Sequence, residues 1–218
     1  MCLILLAFRQ HPEYPLIVAA NRDEFHARPA APAAYWADRP NILAGRDLEA
    51  RGTWMGVSPS GRFAAVTNFR GAREARAAES RGALVMRFLD GEETSAAYAR
   101  GLLPAFPAYS GFNLLVFDGS ELWWLSNRGG EPRSLEPGVH GLGNTLLNAP
   151  EVDESKKRLA AALESGPAVE PLFSVLAPAR IVNPVYGTRC STVMFGRRYA
   201  ERSFDAGGAE QETVQYQV

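Results

Sequence analysis

Cysteine, histidine and lysine are all scarce in this sequence, with two, three and two residues among 218. Two cysteines, Cys2 and Cys190, are too few for a secreted disulfide scaffold. The histidines, His11, His26 and His140, are scattered without ligand spacing, and no Cys-x-x-Cys occurs, so the common zinc patterns are excluded. The same scarcity weakens any triad that needs a histidine base. Basic residues are not in excess: 23 Lys plus Arg stand against 24 Asp plus Glu, a formal charge of −1. That balance argues against a nucleic-acid binder working through general phosphate attraction. No apolar run approaches the roughly 18 residues of a membrane-spanning helix. The opening stretch to Phe8 is too short for a signal h-region and lacks a basic leader. A Gly-x-x-x-x-Gly-Lys phosphate loop, a Gly-x-Gly-x-x-Gly turn and a Gly-x-Ser-x-Gly elbow are missing as well.

What is present is ordinary for a globular chain: 46% hydrophobic and 22% charged residues. One domain over residues 1–218, soluble and cytoplasmic, with no nucleic-acid partner and no membrane span, is the expectation. Arginine outnumbers lysine 21 to 2, which codon usage in a GC-rich genome explains.

Apolar runs and turn residues organise the chain into strands, helices, strands, helices and strands. Cys2–Phe8 and Leu16–Ala20, split by the Pro12 and Pro15 turn, read as a hairpin. Residues 26–50 hold several prolines and many alanines, and read as an irregular loop. Thr53–Ser58 and Phe63–Asn68 flank Pro59-Ser60-Gly61, a second hairpin signal. Ser80 is placed to cap a helix running to about Leu89, with Leu84, Val85, Phe88 and Leu89 on one stripe. Thr94–Leu103 is a further helix candidate. Phe112–Phe117 and Glu121–Leu125, split by Asp118-Gly119, form a third hairpin. Helices are expected over Glu154–Leu163 and Val169–Leu176, and strands over Ser191–Phe195, Tyr199–Phe204 and Thr213–Val218. The order fits two sheets with helices outside, or a plainer α+β fold.

Cys2 is the residue with the most chemistry to offer. Were Met1 removed, Cys2 would carry a free α-amine, with a pKa near ~7.7, that can accept the proton of its own thiol. Nucleophile and base then share one residue and no histidine is needed. The plain alternative is a small hydrophobe starting a strand. Asn21-Arg22-Asp23-Glu24-Phe25 follows an apolar strand directly; it either orients Cys2 or forms a solvated turn. Asn68 and Asn144 stand at strand ends, where an amide can donate to an oxyanion or simply make a turn. Arg189, in Tyr186-Gly187-Thr188-Arg189, is placed to pair with a substrate carboxylate, with Asp23 or Glu24, or in a structural salt bridge.

Together these residues resemble one family. The start Met1-Cys2-Leu3-Ile4, the block Asn21-Arg22-Asp23-Glu24 with Arg28-Pro29, and Gly52-Thr53-Trp54-Met55-Gly56 are similar to the NRDE family, which includes eukaryotic transport and Golgi organisation proteins. Thr67-Asn68, Gly111-Phe112-Asn113, Asn127-Arg128-Gly129, Gly141-Leu142-Gly143-Asn144 and Gly187-Thr188-Arg189 follow in order. One departure comes after Asn144, where Asn148-Ala149-Pro150-Glu151-Val152 replaces a more basic stretch. The resemblance implies the four-layer αββα sandwich of the N-terminal nucleophile (Ntn) hydrolases. More distantly, the spacing resembles the cysteine-type penicillin V acylases and bile salt hydrolases. It then implies Cys2 as nucleophile, with Asn21, Arg22 and Asp23 beside it. Asn68 and Asn144 become the oxyanion and amine-holding asparagines, and Arg189 the late arginine. The order of Arg and Asn in the cluster is swapped relative to those enzymes, so the residue that tunes Cys2 stays open among the three. The reaction implied is hydrolysis of a linear amide of a small molecule, with no cofactor. The family's association with haem and lipid or acyl-CoA trafficking implies the alternative, a carrier of haem or another hydrophobic ligand, gripped by arginines and by Trp54, Trp123 and Trp124. On the hydrolase reading Cys2 is expected at the start of an inner strand, facing a cleft into which Asp23 or Arg22, Asn68, Asn144 and Arg189 also point.

Overall fold

The structure, a computed structural model, describes residues 2–71 and 78–218. The strands of the first half are β1 (Leu3–Phe8), β2 (Leu16–Phe25), β3 (Ala30–Trp36), β4 (Arg39–Asp47), β5 (Met55–Val57) and β6 (Phe63–Asn68). Helices α1 (Gly82–Asp90) and α2 (Ser95–Gly101) follow, then β7 (Phe112–Phe117), β8 (Leu122–Ser126), β9 (Arg133–Ser134) and β10 (Gly138–Leu142). The chain closes with α3 (Asp153–Leu163), α4 (Val169–Leu176), β11 (Tyr186–Phe195), β12 (Arg198–Phe204) and β13 (Glu210–Gln217). Two compact units result: Met1–Arg28 with Glu136–Gly143 and Leu147–Gln217, and Pro29–Leu135 with Asn144–Leu146 and Val218.

In the first unit the sheet runs β10-β1-β2-β11-β12-β13, every pairing antiparallel. Alternation decides its helix-facing side. Leu3, Leu5, Ala7, Ile17, Ala19, Val193 and Phe195 cluster with Leu159, Leu172, Phe173 and Leu176 of α3 and α4. The intervening residues Ile4, Leu6, Leu16, Val18 and Ala20 are buried too. Strands buried on both faces read as unbroken apolar runs, which is why the first hairpin stands out in the sequence.

In the second unit an antiparallel sheet of order β3-β4-β5-β6-β7-β8-β9 packs under α1 and α2. The helical stripe is the expected one: Leu84, Val85, Phe88 and Leu89 are buried, each stabilising the fold by about 1.5–3 kcal/mol. Ser80 does not cap α1 through its side chain, because Arg81 holds the N-cap position with no side-chain cap bond. The other end is held instead by Arg62, whose guanidinium donates to the Phe88 and Glu93 carbonyls and lies 3.9 Å from the Phe88 ring centroid. Thr94 does cap α2, accepting from the Ala97 N–H. Gly52 and Gly82 let two backbones touch: a Cβ on Gly52 would lie 2.9 Å from the Gly82 carbonyl carbon.

Residues 26–50 depart from the expected irregular loop, since β3 and β4 occupy most of them. Pro32 is tolerated because β3 is the edge of its sheet and its register shifts between Ala31 and Ala34. Short β10, which pairs with β1, has too few apolar residues to stand out. The block Asn21–Phe25 is no turn; it continues β2 and pairs with β11, which itself begins at Tyr186 rather than Ser191.

One acid secures the β7–β8 turn and the start of α2 together. Asp118 accepts from the Ser95 N–H at 2.7 Å, and from the Ser120 N–H, the Ser120 hydroxyl and the Glu121 N–H. Burial pushes its carboxyl pKa up, but these hydrogen bonds outweigh that and hold it well below the ordinary range. A depressed folded-state value means the stabilisation is complete above the unfolded value of about 3.9 and is lost as pH falls toward the folded one. Asp118→Asn is therefore expected to lower stability at pH 7 by about 1–2 kcal/mol, with the gap to wild type closing below about pH 4. Urea melts at pH 7 and pH 3 check this; an equal gap at both would contradict it.

Candidate active site around Cys2

Cys2 lies one residue before β1, and because Leu3 pairs with Asn21, the next position along the ladder faces Arg22. The thiol is partly buried and donates to the main-chain carbonyl of Asp23, 3.5 Å away. Burial pushes the thiol pKa up; the Asp23 charge adds to that push and Arg22 opposes it, leaving a raised value. Cys2 rests as a neutral thiol and needs a base before it can attack.

The three polar residues of the block are buried within the sheet: Asn21 is 2% exposed, Arg22 7% and Asp23 3%. Each has a distinct place. Asn21 is on the helix-facing side, where its amide donates to the Leu176 carbonyl at 3.1 Å and its carbonyl oxygen accepts from Ser191 at 2.6 Å. It ties the end of α4 to the sheet. Asp23 accepts from the Thr188 hydroxyl at 2.7 Å through Oδ1, while its main-chain carbonyl also takes the Tyr186 hydroxyl at 3.1 Å. Arg22 is on the opposite face, beside Cys190 in the ladder.

That face holds a residue the sequence reading missed. Glu201 of β12 is 2% exposed and aligned through Thr192 with Ala20, two residues before Arg22. The Thr192 hydroxyl donates to Glu201 Oε2 at 3.2 Å. Arg22, Cys190, Thr192 and Glu201 thus share one buried surface. Burial, reinforced by Glu201, pushes the Cys190 thiol well up, so it is an inert packing residue. The available signal was an acid two residues after Tyr199, where strand alternation keeps it on the buried Tyr199 face.

Arg189 acts on the backbone. Its Nη1 donates to the carbonyls of Phe25, His26 and Arg28 at 3.0, 3.3 and 3.1 Å, fastening the chain where it leaves β2. Main-chain acceptors take the place of the acidic partner expected from sequence. Asn68 and Asn144 belong to the second unit, where Asn144 Nδ2 donates to the Asn68 carbonyl at 2.8 Å and the Asn68 side chain is exposed. In that unit Trp123 and Trp124 are core residues, 7% and 2% exposed. The three histidines have local structural contacts: His11 stacks on Tyr14, His26 meets the Asn183 carbonyl, and His140, within β10, meets the Glu136 carbonyl. Met1 lies outside the described residues.

With this geometry in hand, the chain can be set beside known proteins. The family described as Transport and Golgi organisation 2 matches residues 1–184. The chain belongs to this family. Its bovine relative, a "Transport and Golgi organization protein 2 homolog", is 35% identical, with 89% of this chain and 88% of the relative covered. Among solved structures, the Caenorhabditis elegans ortholog of N-acylethanolamine-hydrolyzing acid amidase superposes with a TM-score of 0.57 at 12% identity, covering 88% of this chain and 92% of that one. A mutant conjugated bile acid hydrolase from Clostridium perfringens gives 0.59 at 8% identity, covering 100% and 92%. At these identities the likeness is one of fold. The chain is an α+β protein of the Ntn-hydrolase fold, as the sequence resemblance implied. No helix among its described residues is long and apolar enough to cross a membrane.

Proposed function

We propose that this member of the family is a cysteine amidohydrolase that cleaves a linear carbon–nitrogen amide of a small molecule. The observation carrying the proposal is Cys2 itself. Its half-buried thiol, just before β1, has its proton directed at the Asp23 carbonyl, with the Arg22 charge acting on it. The names of the two structural neighbours, an amidase and a hydrolase, support the same class of chemistry.

The mechanism starts with removal of Met1, which frees the α-amine of Cys2. With a pKa near ~7.7, that amine is substantially unprotonated at neutral pH and takes the thiol proton as sulfur attacks the substrate carbonyl. The raised thiol pKa makes this base necessary, because the free thiolate is scarce. The resulting tetrahedral adduct expels the amine, which takes back the proton from the α-ammonium, and leaves a thioester on Cys2. Water then attacks the thioester, giving the carboxylic acid and the free thiol. Asp23, through its carbonyl, and Arg22, through its charge, tune Cys2; Asn21 and Arg189 hold the strands that carry them.

Intact-mass spectrometry tests the reading in two steps. Protein from its native host is expected to lack Met1, and treatment with an electrophilic β-lactone is expected to add one acyl mass, located at Cys2 by peptide mapping. Retained Met1, or an adduct spread over Cys190 instead, would remove the basis for the mechanism.

A further inference from the structure

A cavity of about 120 Å³ lies in the first unit, between the end of α4 and the strands β11, β12 and β13. Two arginines line it, and each is set against an aromatic ring. The Arg180 guanidinium lies 3.6 Å from the Phe204 ring centroid, and that of Arg202 lies 4.3 Å from Phe173. Stacking of this kind fixes a guanidinium plane and leaves its edge free to bond.

The two arginines differ in what they bond. Arg202 has two acidic partners: its Nη2 pairs with Glu170 at 2.7 Å and its Nε with Glu210 at 3.1 Å, while Nε also donates to Thr213. Arg180 donates to the Gly208 carbonyl, and its buried Nε meets no acceptor among the described residues. A buried N–H of a charged group without an acceptor costs roughly 1–3 kcal/mol, which the fold has no reason to sustain unless something else satisfies it. Burial and the neighbouring Arg202 both push the Arg180 pKa down, so an added anion is welcome there.

We propose that this cavity is a binding site for a short-chain carboxylate, whose two oxygens engage Arg180 and whose aliphatic tail lies against Phe173, Ala177 and Phe204. Three physical points select that ligand. A guanidinium edge matches the two oxygens of a carboxylate. Glu210 on the lining and Glu170 behind Arg202 offset the two arginines, so the surroundings carry no net positive charge that would favour a dianionic phosphate over a monoanion. At roughly 30 Å³ per water-sized group, the cavity admits four or five heavy atoms, the size of acetate or propionate. One wall is Ser191, whose hydroxyl donates to Asn21 in the strand that carries Arg22 and Asp23. Cys2 is not among the lining residues, the site shares a hydrogen bond with β2, and it does not depend on the hydrolase reading.

Calorimetric titration of the whole chain with sodium propionate tests the proposal. One site per chain is expected, with a Kd on the order of 1 mM, as five heavy atoms can sustain. Propionamide and inorganic phosphate are expected to bind at least 10-fold more weakly, and N-acetylglycylglycine, a peptide carboxylate, likewise. Arg180→Gln should weaken propionate binding 10-fold or more, and exposed Glu210→Gln should tighten it two- to fivefold. The Glu210 variant keeps the question open to experiment should the Arg180 variant fail to fold. Absence of saturable propionate binding, equal binding of propionamide, tighter binding of phosphate or of the peptide, or unchanged affinity in Glu210→Gln would each overturn the assignment.

Discussion

Replacing Cys2 by alanine is expected to reduce amide turnover by roughly 10⁴- to 10⁶-fold, the scale of losing a nucleophile that works as a unit with its base, while leaving the thermal melt within about 2 °C of wild type. The second half follows from the structure. Cys2 precedes β1 rather than lying within it, is only partly buried, and gives one long sulfur hydrogen bond to Asp23. Little stability is at stake. Cys2→Ser probes the same step differently, because the hydroxyl is a poorer nucleophile at the same position. Turnover measured on the amide that wild type cleaves fastest, together with differential scanning fluorimetry, separates the two effects. A Cys2→Ala variant with wild-type turnover would end the hydrolase reading, whereas a collapsed melt would make Cys2 a structural residue.

The second large effect is expected at Glu201. Its carboxylate is buried on the face of the sheet that also buries Arg22, and it accepts the Thr192 hydroxyl. Glu201→Ala removes negative charge from the face that buries a guanidinium and opens a cavity, at a cost of about 3–5 kcal/mol. For a chain of this length that is a fall of roughly 6–20 °C in Tm. Glu201→Gln keeps the volume and the acceptor but not the charge. A melt for Glu201→Gln close to that of Glu201→Ala is the expected result. Recovery of wild-type stability by glutamine would mean that packing and the hydrogen bond matter, and charge does not.

How much of this was legible in the sequence depends on the range of the interactions. The β1–β2 hairpin, the α1 stripe, the helix beginning near Thr94 and the Asp118-Gly119 turn are local, each decided within about ten residues by periodicity or turn chemistry, and the sequence reading located them. The misses have long-range causes. Residues 30–47 look irregular because prolines and alanines say nothing of an edge strand until a sheet exists to receive it. For the Asn21–Phe25 block the sequence leaves a solvated turn open beside a role at Cys2, because nothing local shows that β11 supplies the Thr188 and Ser191 hydroxyls that bond Asp23 and Asn21. The position of Cys2 next to Arg22 and Asp23 was legible because one hairpin brings them together. Glu201 was not, since its partners come from a strand pairing that no local pattern announces. Arg189 was singled out, but its acceptors are backbone carbonyls, which sequence cannot distinguish from one another.

The setting of Cys2 is completed across a long stretch of chain, since the Thr188 to Asp23 hydrogen bond joins residues 165 apart. On a ribosome adding about 5–20 residues per second, β11 emerges roughly 10–30 s after β2. For most of that interval β1 and β2 stand as a hairpin alone, since β10, the other neighbour of β1, is itself made late. Enzymes that trim nascent chains thus reach the first residues before the strand that buries Asp23 has been made. The removal of Met1 that the proposed mechanism requires would fall in that interval, before the sheet closes. In this architecture the order of synthesis leaves room for such maturation before burial.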